Sequence, residues 1–392
     1  MALPKIKVAF RNGMLGTVTT GEDGVLLLCA KGTAVANTLK TDKAYKIYRL
    51  SGLDELGAKE TTHAALYKAV KQFYTEAPEG TPLYVAVYSD ASMSAFCDKD
   101  SGKLRSILQS LKGAVRGVVI LHPDEDKAGT VETGLSKDVF TALPKAQKLG
   151  EWTAEELYAP VFIVLDGYAY TGNATELKDV SKETSNRVMI FLGSESPTEK
   201  HTAIGYVAGR IAKSPVQRNI GRVKDGSISV TELYLGSKSV EEAMDDVSAI
   251  YEKGYVTPRV HVGRSGYYFT DDRLVVAVTD DYAHLTARRT IDKVLRIAYD
   301  TLLNGLLDEV ELNDDGTMQE PIIRSWEAEV EKAVNASMTA SGELAAVDGS
   351  GVECSIDASQ NVRATSTLEV TVAARPFGYP RTIVANLGFK VE

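Results

Sequence analysis

The sequence predicts an α/β first half built on a mainly parallel sheet, an α+β second half, and extended β-strand arms at both termini. Continuous apolar runs separated by amphipathic stretches predict the first half. Two long helical repeats set among short strand-like runs predict the second. Period-two alternation at each end predicts the arms.

At the N-terminus Ile6, Val8 and Phe10 alternate with Lys5, Lys7 and Ala9 and lead into Asn12-Gly13. That alternation marks a half-buried strand. Val25 to Ala30, Leu83 to Val87, Val118 to Leu121, Val161 to Leu165 and Val188 to Leu192 are apolar throughout. Such strands are covered on both faces, so the sheet is expected to be parallel with helices on either side. Leu66, Val70 and Phe73 share one helical face. Thr153 and Glu156 have the spacing of a capping box. Ser196-Pro197-Thr198-Glu199 combines an N-cap serine, a first-turn proline and a glutamate at the third position. Behind it Ile204, Val207, Ala208 and Ile211 form one stripe, and Gly205 and Gly209 are expected to let that helix approach the sheet closely. Ser239 to Glu242 opens a further helix, with Val240, Met244 and Val247 inward and Gly254 as its stop.

Past residue 255 the pattern changes. Tyr267 to Phe269 and Leu274 to Val278 read as a hairpin around Asp271-Asp272. A long helix is expected from Tyr282 to Leu307, with Ile291, Leu295, Ala298 and Leu302 on its apolar face. A second runs from Pro321 to Ser337 and packs Ile322, Trp326, Val330 and Val334. The strand-like run Leu368 to Val372 is cut by Pro376-Phe377-Gly378-Tyr379-Pro380. Beyond that breaker Ile383, Ala385, Leu387, Phe389 and Val391 fall on one face. Chain ends commonly fray and need little pattern; these two are patterned to pair with a sheet edge. The expected division is an N-terminal arm (1–20), an α/β domain (21–255), an inner α+β domain (256–375) and a C-terminal arm (376–392).

With 392 residues, 44% hydrophobic and 25% charged, the composition is that of a globular chain of about two domains. A formal charge of −9 argues against general nucleic-acid binding, which depends on Lys and Arg neutralising phosphate. Cys29, Cys97 and Cys354 are widely spaced, form no metal motif, and suit a reducing compartment. The first residues lack a signal-peptide pattern, and the run Val25 to Ala30 is far too short to span a bilayer. Synthesis in the cytoplasm without membrane insertion is expected.

Signatures of chemistry are missing. Neither GxGxxG nor GxxxxGK[ST] occurs, and Gly263-Arg264-Ser265-Gly266 is one residue short of a nucleophile elbow. His63, His122, His201, His261 and His284 make no local metal motif. His122, at a strand end, is the best placed for a small-molecule site, with Asp166 at another. Glu311 to Gly316 resembles an EF-hand loop, but Ile322 falls where the bidentate carboxylate belongs. Asp271-Asp272 and Asp280-Asp281 are either solvated loop acids or cation pairs. No catalytic residue, cofactor or metal is therefore expected. Arg289, Lys293 and Arg296 share one face of the long helix, as a solvated stripe or as a contact for an acidic partner.

From residue 200 the run Ile204-Gly205-Tyr206-Val207-Ala208-Gly209-Arg210-Ile211-Ala212 precedes Arg264 to Asp272 and then Arg288-Arg289-Thr290-Ile291. Trp326 is followed by Gly342-Glu343-Leu344, by Val352 to Asp357, and by Asn361. The end of the chain adds Val370-Thr371-Val372, Arg375 to Pro380 and Ile383. This order of motifs resembles the contractile tail sheath proteins of bacteriophages and phage-derived injection systems. The resemblance implies a divergent sheath subunit with an inner sheath-core domain, an outer α/β domain and terminal arms that complete neighbouring sheets. It implies self-assembly in stacked, six-fold rings around an inner tube protein, with baseplate and tail terminator proteins at the ends. Assembly in the bacterial cytoplasm and residence in a virion tail or injection particle follow. It makes Arg289, Lys293 and Arg296 the expected tube contact. Two other classes stand beside it: an α/β enzyme or ligand-binding protein with a site near His122, and a non-contractile scaffold protein.

Overall fold

A computed structural model describes residues 23–123, 131–385 and 387. Six strands form the main sheet: β1 (Leu26–Lys31), β2 (Lys43–Ile47), β3 (Leu83–Tyr88), β4 (Gly117–Ile120), β5 (Phe162–Asp166) and β6 (Val188–Phe191). Their spatial order is β2-β3-β1-β4-β5-β6. All neighbours are parallel except β2, which runs antiparallel to β3 at one edge. Leu28 sits between Val85 and Val119, and Val164 between Val119 and Met189. These side chains have no solvent exposure, which is why the runs are apolar at every position and not at every second one. The edge strand β2 reads Lys-Ala-Tyr-Lys-Ile, with no period-two pattern to mark it; Lys43 and Lys46 protect the edge from further pairing.

The covering helices are α1 (Ala64–Glu76), α2 (Lys103–Leu111), α3 (Lys137–Glu155) and α4 (Ile204–Lys213). Two sequence expectations fail here. Thr153 lies in the last turn of α3 and not at a helix start, so Thr153 and Glu156 form no capping box. Ser196-Pro197-Thr198-Glu199 is a turn, and α4 begins at Ile204 after an Ala203 cap. The glycine pair on α4 also meets a different neighbour. A Cβ on Gly205 would lie 2.1 Å from the Ala69 carbonyl oxygen, and one on Gly209 would lie 2.7 Å from that of Phe73. The close approach is therefore to α1, not to the sheet. Glu76 of α1 accepts hydrogen bonds there from Arg210, from Lys213 (2.7 Å) and from the Ser229 N–H (3.1 Å). Gly205→Ala is expected to cost about 3 kcal/mol, the upper range for overpacking, because the obstacle is backbone. Urea unfolding of the variant measures it.

The second half contains α5 (Met244–Glu252), the antiparallel pair β7 (Pro258–His261) and β8 (Arg264–Phe269), α6 (Leu285–Leu302), α7 (Glu320–Val334), β9 (Val352–Ile356) and β10 (Val370–Ala374). Ser239 and Glu242 exchange capping-box hydrogen bonds (3.2 and 3.3 Å), although the helix expected to open there starts at Met244. Gly254 follows with φ 99°, as a stop requires. The expected hairpin around Asp271-Asp272 does not form. Tyr268 of β8 pairs with Arg259, while Val275-Val276 pairs with Thr184-Ser185. Gly263 (φ 76°) lies in the turn that joins β7 to β8. A large apolar cluster spans Val25 to Leu285; a smaller one joins α6, α7, β9 and β10 through Val294, Val330, Val334 and Cys354. All three cysteines are free and buried.

Candidate functional site

Arg289, Lys293 and Arg296 lie on one face of α6, as their spacing requires, but that face is inside the protein. They are 4%, 2% and 3% exposed. Lys293 Nζ lies 2.6 Å from Asp23 Oδ2 and 2.6 Å from Glu343 Oε2. Arg296 Nη2 lies 2.8 Å from Asp23 Oδ1. Arg289 donates to the carbonyls of Ser214 (2.9 Å) and Asp23 (3.3 Å). Burial alone would lift the Asp23 carboxyl, but Arg296 and Lys293 outweigh it and hold its pKa below the ordinary value. Burial pulls Arg289 down to about 10. Neither a solvated stripe nor an exposed tube contact describes these residues. Their charge is consumed within the subunit, and what it holds is Asp23, the residue at which the described chain begins. Asp292 on the same helix takes Arg187 in a two-point pair (2.9 and 3.1 Å), tying α6 to the residue before β6.

The other end of the chain is held at the start of the same helix. Asp272 Oδ2 accepts from the Thr286 N–H (2.8 Å), and Asp272 Oδ1 lies 3.1 Å from His284 Nδ1. A carboxylate at a helix N-terminus is favourably placed. Asn219 donates to Asp272 Oδ1 (2.8 Å), and the Tyr251 hydroxyl to Asp271 Oδ2 (2.9 Å). Arg381 Nε donates to Asp271 Oδ2 (2.8 Å), with Nη2 at 3.7 Å from Asp272 Oδ1. The Tyr379 hydroxyl donates to the Gln217 carbonyl. Burial raises Asp272, and Asp271 adds to it; in Asp271 the pull of His284 and Arg381 overcomes burial and the pKa falls. Oxygen and nitrogen atoms of Asp271, Asp272 and His284 come within 4.8 Å of one another, as cation ligands do. Protein donors already satisfy the carboxylates.

Of the residues expected in the arms, Ile6, Val8, Phe10, Phe389 and Val391 lie outside the described residues. Ile383 and Leu387 are 81% and 97% exposed, and Ala385 is exposed. Ile383, Ala385 and Leu387 belong to no strand. Close to the roots stands the two-stranded sheet β9–β10, in which Cys354 faces Val372. The outward N–H groups of β9 are taken by α7: Cys354 donates to Glu331 (2.9 Å) and Ile356 to Glu327 (2.8 Å). Among the described residues no strand pairs with the outer edge of β10.

The strand-end site expected near His122 is sealed. His122, Ser136 and Asp166 are 4%, 0% and 0% exposed. Ser136 Oγ lies 3.0 Å from His122 Nε2, and His201 Nδ1 lies 2.7 Å from Asp166 Oδ2. The His122 backbone N–H and the Thr202 N–H and hydroxyl also donate to Asp166 (3.2, 2.9 and 2.8 Å). Burial lowers the His122 pKa. A hydroxyl beside an imidazole can be a nucleophile and its base, but this network has the saturated bonding of a buried polar core. Glu311 to Gly316 is a tight turn closed by Asn313 N–H to the Thr317 carbonyl (2.8 Å). Asp280 binds the Tyr282 N–H (2.7 Å).

Asp23, Glu327, Glu331 and Arg381 each act on a residue far away in the chain, so none carries a local motif; Glu343 stands out only as part of the run Gly342-Glu343-Leu344. No described helix is long and apolar enough to cross a membrane.

The fold recurs in solved structures. A cryo-EM structure of the anti-feeding prophage (AFP) baseplate, 6-fold symmetrised, contains a chain with TM-score 0.64 and 13% identity, covering 100% of both chains. The contracted PVC sheath complex of an extracellular contractile injection system contains one with TM-score 0.60 and 14% identity, covering 100% of this chain and 98% of that one. The crystal structure of the sheath tail protein Lin1278 from Listeria innocua has TM-score 0.50 and 10% identity, covering 86% and 89%. No curated protein matches the sequence. The model of the DUF2586 N-terminal domain matches residues 3–273 and that of its C-terminal domain residues 281–392, so the chain belongs to the DUF2586 family.

Proposed function

We propose that this chain is the structural subunit of a contractile sheath, which polymerises around an inner tube and links neighbours through its terminal arms. The observation that carries this reading is the likeness in fold to a contracted sheath complex over 100% of this chain and 98% of the other. The exposed apolar residues Ile383, Val384 and Leu387 support it. Each large apolar side chain gains roughly 1.5–3 kcal/mol when fully buried, so a neighbour's surface is their natural cover. The free edge of β10 is the favoured acceptor, because Glu327 and Glu331 block the edge of β9. An arm strand added there uses backbone hydrogen bonds for linkage and alternate side chains for register. Head-to-tail links that do not close on themselves build a helix of stacked rings, six subunits to a ring by analogy with the family. Contraction is then a rigid-body change between two packings with the arms as tethers.

The subunit's partners in this reading are itself, an inner tube protein, and baseplate and terminator proteins at the two ends. Assembly takes place in the bacterial cytoplasm. Catalysis has no part in this reading. The test is electron microscopy of the full-length protein, alone and co-expressed with its genomic neighbours. Hollow ridged cylinders are expected. Monodisperse subunits under every such condition would overturn the proposal.

A further inference from the structure

The described chain is held differently near its two ends. At the first, Asp23, Lys293, Arg296, Arg289 and Glu343 are all between 2% and 4% exposed. At the second, Phe377 to Thr382 form a strap along an open cleft of about 970 Å³. Backbone pairing with the body stops before the strap: Arg375 donates to the Gly351 carbonyl (2.8 Å) and accepts from the Ala345 N–H (3.0 Å). The contacts beyond it are Tyr379 with Gln217 and Arg381 with Asp271 and Asp272. Phe377 is 39% and the Arg381 side chain 36% exposed. A Cβ on Gly378 would meet nothing within 4 Å.

We propose that Phe377 to Thr382 is a releasable latch, with Arg381 seated between Asp271 and Asp272 as its catch, while the Asp23 root stays fixed. Opening the latch leaves both carboxylates hydrogen-bonded. Asp271 and Asp272 keep Asn219, Tyr251, His284 and the Thr286 N–H, while Arg381, already a third exposed, returns to water. Opening the Asp23 root strands several buried charges at once, which is far more costly. Release adds the seven residues 376–382 to the free arm, on the order of 20 Å of extra reach. Neighbouring bodies could then separate without the arm leaving its acceptor. That use rests on the sheath reading; the latch itself is a property of the single subunit.

Limited chymotryptic cleavage after Phe377 in the dilute full-length subunit tests it without any polymer. Raising NaCl from about 0.1 M to about 1 M shortens the screening length from roughly 10 Å to 3 Å and acts mainly on exposed pairs. The rate of that cut, measured against a free peptide substrate at the same salt, is expected to rise about tenfold, as for loss of one partly exposed charged contact. Arg381→Gln should reproduce the rise at low salt and Arg381→Lys should fall between. Hydrogen exchange of the paired amides of β1 and α6 should stay within about twofold, which also shows that the variants fold. Cleavage after Phe377 that ignores both salt and Arg381→Gln would overturn the latch, as would an equal rise in the exchange of β1 and α6. Missing cylinders from the wild-type protein would sink the sheath reading and leave this result standing.

Discussion

A chain truncated after Arg381 is expected to fold normally and remain a monomer. The apolar clusters of the body draw nothing from beyond Ala374. Ile383, Val384 and Leu387 are 81%, 77% and 97% exposed, so removing 382–392 strips no buried contact from the described fold. The melting temperature should move by less than about 2 °C, well under the shift that accompanies 1 kcal/mol in a small domain. Assembly is another matter. An added strand supplies backbone hydrogen bonds worth roughly 1 kcal/mol each, and every subunit of a polymer loses them at once. Sedimentation velocity and electron microscopy should therefore show monomers where the full chain gives cylinders. Cylinders from the truncated chain would rule out the C-terminal arm as the connector. A truncated chain that fails to fold would mean that the segment completes its own subunit.

The sheet was legible because its signal is local. Five apolar runs bounded by polar turns suffice for five buried parallel strands, and all five are present. Pairing partners are not local. Tyr267 to Phe269 alternates equally well as one half of a hairpin with residues after it or before it, and the structure uses Pro258–His261 before it. Helix starts suffered the same ambiguity. A Ser-Pro-Thr-Glu run signals a start, but the structure spends it on a turn before α4. Pro144 and a missing cap hid α3 altogether.

The buried charges of α6 were the least legible part, for a physical reason. Periodicity identifies the buried face of a helix by its apolar residues. On α6 that rule picks Ile291 and Leu295, which are only half-buried, while Asp292, Lys293 and Arg296 beside them are almost fully buried. Buried charges are rare because each needs a partner. The short-range partners here are Asp23, Glu343 and Arg187, none of them nearby in sequence; Arg288, one turn before Asp292, comes only to 3.7 Å.

Lys293→Met is expected to destabilise the subunit by about 3–5 kcal/mol, the usual result of removing one member of a buried ion cluster. Methionine nearly matches the volume, so the loss is electrostatic. Among the described residues Glu343 is then left without an ion pair and Asp23 keeps Arg296. The double variant Lys293→Met/Glu343→Leu removes the stranded carboxylate and should recover most of the loss, since a well-packed apolar replacement of a buried pair is commonly near neutral. Acid unfolding gives an independent reading. Asp23 has a folded pKa below its unfolded value of about 3.9. The unfolded chain therefore takes up that proton first. The stabilisation from Asp23 is whole above about pH 4 and declines as pH falls toward the folded pKa. Lys293→Met should shrink that acid-sensitive part by weakening the pull on Asp23. Urea titrations at neutral and acid pH, made on chains ending at Arg381 so that polymerisation does not intervene, measure both effects. A loss under about 1 kcal/mol at neutral pH would show that Lys293 does not hold Asp23 in place.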